Sequence, residues 1–160
     1  MAKKEIAVFG AGCFWHVELA LSKLKGVLET KAGYMGGDEE KYPNPTYKEV
    51  CTDKTRYAEV VKVIYDADKI SYSELLDFFW NNHNPTTLNR QGLDIGTQYR
   101  SVIFYFNDKQ KKIAEASKKK MQKKLSREIV TQIVKAGRFF EAEEYHQRYL
   151  EKRGLPICPI

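Results

Sequence analysis

The sequence predicts an α+β fold: a two-layer α/β sandwich with a ferredoxin-like (βαββαβ) core, a mixed sheet and a C-terminal tail. Three observations predict it. Short runs rich in β-branched residues, bounded by glycine and proline, alternate with stretches of helical periodicity. The first six elements follow the order β-α-β-β-α-β, the split βαβ pattern, and a further α-β pair comes after them. Helices that interrupt strands in this order cover one face of a single sheet.

Residues 5–9, EIAVF, read as the first strand, punctuated by Gly10 and Gly12. A helix is expected from about Cys13 to Leu24, ended by Gly26. VLETKAGY at 27–34 is the second strand, and AEVVKVIYD at 58–66, dense in β-branched residues, is the third. Ser71 and Glu74 form a capping box for the helix in SYSELLDFFWNNH, whose Leu75, Leu76, Phe78, Phe79 and Trp80 give a wide buried face. RSVIFYF at 100–106 is a strand, and Asn107 caps a lysine-rich helix. IVTQIV at 129–134 is expected to be another strand, followed from about 138 by a short helix and a tail. Two polar loops, 35–49 and 84–99, are longer than a compact domain needs, which marks them as functional.

The 160 residues are the length of one domain, large enough to bury a core without staples. One unit is expected over 1–160, with 151–160 a mobile tail that carries Cys158. The apolar run Ile6–Phe9 is too short for a leader or a membrane span, so a cytoplasmic protein is expected. Three cysteines, Cys13, Cys51 and Cys158, argue against a structural disulfide framework, and the spacing of Cys13, Cys51, Cys158, His16, His83 and His146 matches no metal motif. The net charge of +6 is localised: residues 109–127 alone carry +8. Ile113, Met121 and Leu125 keep an apolar stripe in that helix, so its lysines read as a solvated face and no specific nucleic-acid partner is expected.

The most informative stretch is GAGCFWHVE, residues 10–18. A buried cysteine is often only a small apolar filler. Cys13, however, follows Gly-Ala-Gly at a helix N-terminus, where free N–H groups favour a thiolate. Phe14 and Trp15 come next, and two successive aromatics do not share one helix face, so one of them lines a surface depression.

This stretch resembles the peptide methionine sulfoxide reductases of the A class. GYMGG at 33–37, NPTYKEVC at 44–51, YAEVV at 57–61, FWNNHNPTTLNRQGLDIGTQYRS at 79–101 and EEYHQRYL at 143–150 extend the resemblance in order over residues 6–150. The resemblance implies an oxidoreductase that reduces methionine S-sulfoxide, free or in proteins, to methionine. It makes Cys13 the nucleophile that becomes a sulfenic acid. It makes Glu59 the acid, which must be protonated at neutral pH and therefore buried; Glu59 alternates with Val61 and Val63 on one strand face. It assigns Tyr47 and Tyr99 to the sulfoxide oxygen, Asp94 to the polar side of the pocket, and Phe14 and Trp15 to a cup for the S-methyl group.

The resemblance further implies that Cys158 resolves the sulfenic acid as a disulfide, which thioredoxin or a small dithiol reduces, with no metal or organic cofactor. Cys51, next to Val50, reads as structural in an apolar setting. His16 departs from the family pattern, where glycine commonly follows the tryptophan, and reads as a tolerated surface substitution. The expected partners are oxidised proteins or peptides and thioredoxin, with no membrane, and the protein is expected to be a monomer. A cysteine hydrolase, with His83 or His146 as base, is the rival for the same thiol.

Overall fold

A computed structural model describes residues 3–154 of the chain. Its six-stranded sheet is built from β1 (Lys4–Ala11), β2 (Val27–Met35), β3 (Ala58–Asp66), β6 (Ser101–Tyr105), β7 (Gln132–Lys135) and β8 (Phe140–Glu141), in the order β7-β6-β1-β3-β2-β8. A two-stranded hairpin of β4 (Arg90–Gln91) and β5 (Asp94–Ile95) stands apart from it. The helices are α1 (Phe14–Ser22), α2 (Tyr47–Val50), α3 (Tyr72–Asn81), α4 (Asp108–Gln122) and α5 (Tyr149–Lys152).

β3 lies between β1 and β2 and runs antiparallel to both, with Phe9 opposite Val61 and Tyr34 opposite Glu59. This is the split βαβ arrangement expected from the order of elements. β6 pairs antiparallel with β1, completing the four-stranded core. The parallel β6–β7 pair makes the sheet mixed.

The period-two alternation of the strands sorts their side chains into two layers. Phe9, Val61, Val63, Tyr65 and Ile103 share one buried cluster with Val17 and Leu21 of α1 and Leu75, Leu76 and Phe79 of α3. Val8, Met35, Val60, Val102 and Phe104 form a second cluster, against which Ala136 and Phe139 pack. Phe139 covers Gly33 so closely that a Cβ there would sit 2.4 Å from its ring. Cutting a buried ring such as Phe9 back to alanine would cost about 3–5 kcal/mol.

The capping signals act as expected. The Ser71 hydroxyl accepts from the Glu74 N–H at 3.0 Å while the Glu74 carboxylate accepts from the Ser71 N–H. Asn107 accepts from the Gln110 N–H at 2.9 Å. In α4 only Gln110 and Ala114 are buried, Ile113 and Met121 pack partly against the core, and most of the lysines are exposed or half-exposed.

Three local expectations are corrected. The strand expected at 129–134 starts later, at Gln132, because the backbone ahead of it is bonded elsewhere: the Ile129 N–H donates to Gln122 Oε1 and the Val130 N–H to the Pro85 carbonyl, both at 2.8 Å. The expected C-terminal helix is instead β8, a 3-10 turn at Glu144–His146 and the four-residue α5. The two long loops are ordered by α2 and by the β4–β5 hairpin with a 3-10 turn at Thr97–Tyr99. No helix of the described residues is long and apolar enough to cross a membrane.

Candidate active site

The site is assembled where β1 ends. Gly12, at φ +96°, turns the chain out of the strand, and an added Cβ would meet Gln91 at 2.9 Å. Cys13 follows as the half-buried residue just ahead of α1, and its side chain makes no cap hydrogen bond. Burial, and then the negative charge of Glu59, push its thiol up to about 12, against a smaller opposing pull from the Trp15 and His16 N–H groups. The helix N-terminus therefore acts on Cys13 in the expected direction, but desolvation outweighs it, and the thiolate expected from the sequence is not the resting form.

Glu59 points from β3 into the same pocket and is 1% exposed. Its Oε1 accepts from the Phe14 N–H at 3.3 Å, while Oε2 is buried without a partner. Burial is the dominant cause that lifts its carboxyl from an ordinary 4.5 to about 8; the Phe14 N–H pulls the other way. At neutral pH Glu59 is therefore mostly a neutral acid. The strand phase that puts it beside Val61 and Val63 on the helix-facing side is what buries it.

Tyr47 opens α2, behind a capping box of Thr46 and Glu49. Its ring stacks on Phe14 with centroids 6.4 Å apart and lies tilted against His146 at 4.3 Å. Tyr99 ends the 3-10 turn in the second long loop. Both phenols are pushed up, first by burial and then by the charge of Glu59, so both share its field. Asp94 lies exposed on β5, yet its charge raises Cys13, Glu59 and Tyr99. Phe14 is fully buried and Trp15 is half-buried, the division expected of two successive aromatics.

One arginine ties the two long loops together. Arg100 donates to the carbonyls of Arg56 and Thr97 at 2.9 Å, to that of Gly36 at 3.3 Å, and to Gln132 Oε1 at 3.2 Å. Asp53 accepts from the Thr97 N–H at 2.8 Å and from its hydroxyl. Tyr99 sits between these two anchors.

The structure thus brings together Cys13, Phe14, Trp15, Tyr47, Glu59, Asp94 and Tyr99. Cys158 lies outside the described residues. The apolar setting expected for Cys51 is not found: Val50 is buried, but Cys51 is exposed, and its thiol interacts with the Tyr47 hydroxyl. His16 borders a groove of about 520 Å³ on the α3 side of α1, with Val17, Phe78 and Leu125; neither Cys13 nor Glu59 lines it.

Sequence reasoning missed the residues that hold the aromatics in place. Glu143 accepts from the Tyr34 hydroxyl and the Tyr47 N–H, both at 2.9 Å. His146 accepts from the Trp15 indole at 2.9 Å, and Tyr149 stacks on that indole at 3.8 Å with an interplanar angle of 9°. The available signal was EEYHQRYL, where Glu143, His146 and Tyr149 recur every third residue. Neither candidate base of a hydrolase serves the thiol. His83 is bound to the Phe79 carbonyl and the Ser101 hydroxyl, and burial pushes it down to about 4. His146 is engaged by Trp15. Among the described residues no group of three or more His, Cys, Asp or Glu side chains is placed to hold a metal.

A family profile described as "Peptide methionine sulfoxide reductase" matches residues 5–160. A peptide methionine sulfoxide reductase MsrA of Methanothermobacter thermautotrophicus is 55% identical over 160 residues, covering 99% of this chain and 93% of that protein. The reduced form of Mxr1 from Saccharomyces cerevisiae superposes with a TM-score of 0.92 at 39% identity, covering 98% of this chain and 90% of Mxr1. Mxr1 in complex with Trx2 superposes with a TM-score of 0.65 at 29% identity, covering 92% of this chain and 85% of Mxr1.

Proposed function

The chain belongs to the peptide methionine sulfoxide reductase family, whose reaction returns methionine sulfoxide to methionine, and on that premise we propose how its residues divide the work. The observation that carries the proposal is the Glu59 carboxyl: buried, neutral at pH 7, and held against the first turn of the helix that begins beside Cys13.

The methyl group of the sulfoxide sits in a cup formed by Phe14 and Trp15, and the oxygen faces Tyr47, Tyr99 and Glu59. Fixed donors on one side and an apolar cup on the other admit the S epimer. Cys13 sulfur attacks the sulfoxide sulfur as Glu59 gives its proton to the oxygen, and the phenols donate to that oxygen as its charge grows. Asp94 orders the polar side of the pocket. The sulfoxide S–O bond then breaks as the oxygen passes to Cys13 sulfur, the bond between the two sulfurs is released, and methionine leaves as the thioether with Cys13 left as a sulfenic acid. The thiol proton returns to Glu59. Two electrons pass from Cys13 to the sulfoxide, and the site begins and ends without net charge, which suits two acids that burial keeps protonated.

Cys158 then attacks the sulfenic sulfur, releasing water and leaving a Cys13–Cys158 disulfide. Thioredoxin or a small dithiol reduces it, a step supported by the superposable Mxr1 bound to Trx2. Thiols supply all the electrons, so the cycle calls for no metal or organic cofactor. The low, odd cysteine count suits a reducing, cytoplasmic setting, where the whole chain works as a single catalytic domain and a monomer.

A single turnover tests this. Reduced protein is mixed with excess methionine S-sulfoxide without reductant, methionine is counted, and disulfides are mapped by mass spectrometry. One methionine per chain with a Cys13–Cys158 bridge is expected. Methionine without that bridge would overturn the role of Cys158, and no methionine would overturn the reductase assignment.

A further inference from the structure

We propose that His146 is a positioning residue for the reduction: in its Nε2–H tautomer it holds the Trp15 indole as one wall of the methyl cup. The inference rests on the reductase reading above and assigns a role to a residue which that reading does not use.

The tautomer follows from chemistry. An indole N–H only donates, so His146 Nδ1, which accepts it at 2.9 Å, carries no proton. The proton is on Nε2. That nitrogen is buried and has no hydrogen-bond partner, and the whole residue is 0% exposed. A buried donor without a partner costs stability. Phe14, Tyr47 and Tyr145 surround the ring with centroids 4.0–5.1 Å away, an environment a phenylalanine would fill without that cost. What phenylalanine lacks is the acceptor for Trp15.

The surroundings show why the acceptor matters. Tyr149 lies flat on one face of the indole and leaves it free to slide in its own plane. A hydrogen bond at the indole nitrogen removes that freedom. Glu143, in the same segment, fixes Tyr47 through its N–H. One stretch of chain thus sets both the apolar and the polar wall of the pocket against Cys13. Misplacing a group that packs against the reacting centre is costly even when the centre itself is intact.

Two substitutions separate acceptor from packing. His146→Phe keeps the aromatic ring and removes the acceptor. His146→Asn loses the ring but keeps an oxygen at the δ position that can accept from Trp15. The expected result is a rise in KM for methionine S-sulfoxide of about tenfold or more in His146→Phe, with kcat much less affected, and a KM within about threefold of wild type in His146→Asn. In ¹⁵N-edited NMR spectra, with the Trp80 indole signal identified by Trp80→Phe, the Trp15 indole proton should move upfield in His146→Phe and stay near its wild-type position in His146→Asn. A double-mutant cycle with Trp15→Phe should be strongly non-additive in KM, which keeps the test valid should the asparagine variant fold poorly.

Wild-type KM in His146→Phe, or additive effects in the cycle, would overturn the proposal. So would a loss confined to kcat that follows the thermal midpoint, because a purely structural role lowers the amount of active protein and leaves KM alone. Absence of turnover in the wild-type protein would instead overturn the reductase reading on which the proposal rests.

Discussion

The Phe14 N–H donates to Glu59 Oε1 at 3.3 Å, so the first free amide of the catalytic helix is engaged by a carboxyl group and not by the neighbouring Cys13 thiol. The acid and the nucleophile share one pocket, and burial dominates the ionisation of both. Each also raises the cost of a second charge there, so the resting pair is neutral and titrates as a coupled site.

Glu59→Gln removes the proton donor and keeps the shape. The single-turnover rate should fall by about 10²–10⁴ with the fold intact. In the wild type the rate should decline as pH rises through about 8, where Glu59 loses its proton, and the variant should lack that decline. Rapid-quench measurement of methionine formed against pH checks both. An unchanged rate in the variant would remove Glu59 as the acid.

The same burial has a thermodynamic sign. The folded pKa of Glu59, about 8, lies above its ordinary 4.5, so folding favours the protonated form. Stability from this group is fully present below 4.5 and is lost as pH rises towards 8. A neutral glutamine has no such loss. The stability of Glu59→Gln relative to wild type should therefore grow by about 3–4 kcal/mol between pH 5 and pH 8, measured by urea unfolding of reduced protein. A gap that does not change with pH would mean that Glu59 is not held protonated.

Much of this arrangement was legible in the sequence, and the boundary is physical. Strand phase is a period-two signal, so the face on which Glu59 sits could be read from Val61 and Val63. Capping boxes are local, so Ser71 and Glu74 marked a helix start correctly. What escaped depended on distant chain segments. The helix N-terminus beside Cys13 is local and readable; the desolvation that overrides it is set by the tertiary fold, which also brings Glu59 of β3 against the start of α1. The Trp15–His146 hydrogen bond spans 131 positions, and no periodicity encodes it. β8 is two residues long and gains its strand character only by lying against β2.

In the reduced, empty enzyme Cys13 should resist alkylation. A thiol that burial pushes well above its ordinary 9.0 holds far less thiolate at neutral pH. Iodoacetamide at pH 7 should therefore label exposed Cys51 well before Cys13, read by peptide mass spectrometry. At pH 9, where Glu59 is ionised and its charge opposes a second one, Glu59→Gln should accelerate labelling of Cys13. Rapid labelling of wild-type Cys13 at pH 7 would contradict the burial argument.

Arg100→Lys tests the loop clamp. A lysine reaches one acceptor where the guanidinium reaches the carbonyls of Gly36, Arg56 and Thr97 together. Only the bond to Thr97 is partly buried and those to Gly36 and Arg56 are exposed, so their loss should cost about 0.5–1.5 kcal/mol in thermal or urea unfolding. Because Tyr99 directly precedes this anchor, kcat/KM for methionine S-sulfoxide should also fall, by about tenfold. Lost stability with unchanged kcat/KM would show that the clamp supports the fold without positioning the phenol.

Cys158→Ser separates chemistry from recycling. The sulfoxide is reduced by Cys13 before any second thiol is needed, so the variant should still form one methionine per chain. Steady-state turnover driven by thioredoxin should collapse, because the sulfenic acid then has no internal thiol to convert it into the disulfide that thioredoxin recognises. A small dithiol, which attacks the sulfenic acid directly, should restore part of the rate. The informative alternative concerns Cys51, exposed and in contact with the Tyr47 hydroxyl at the edge of the site. If Cys158→Ser retains full thioredoxin-driven activity and the Cys51→Ser/Cys158→Ser double variant loses it, resolution runs through Cys51; if the double variant also keeps it, thioredoxin reduces the Cys13 sulfenic acid without an internal partner.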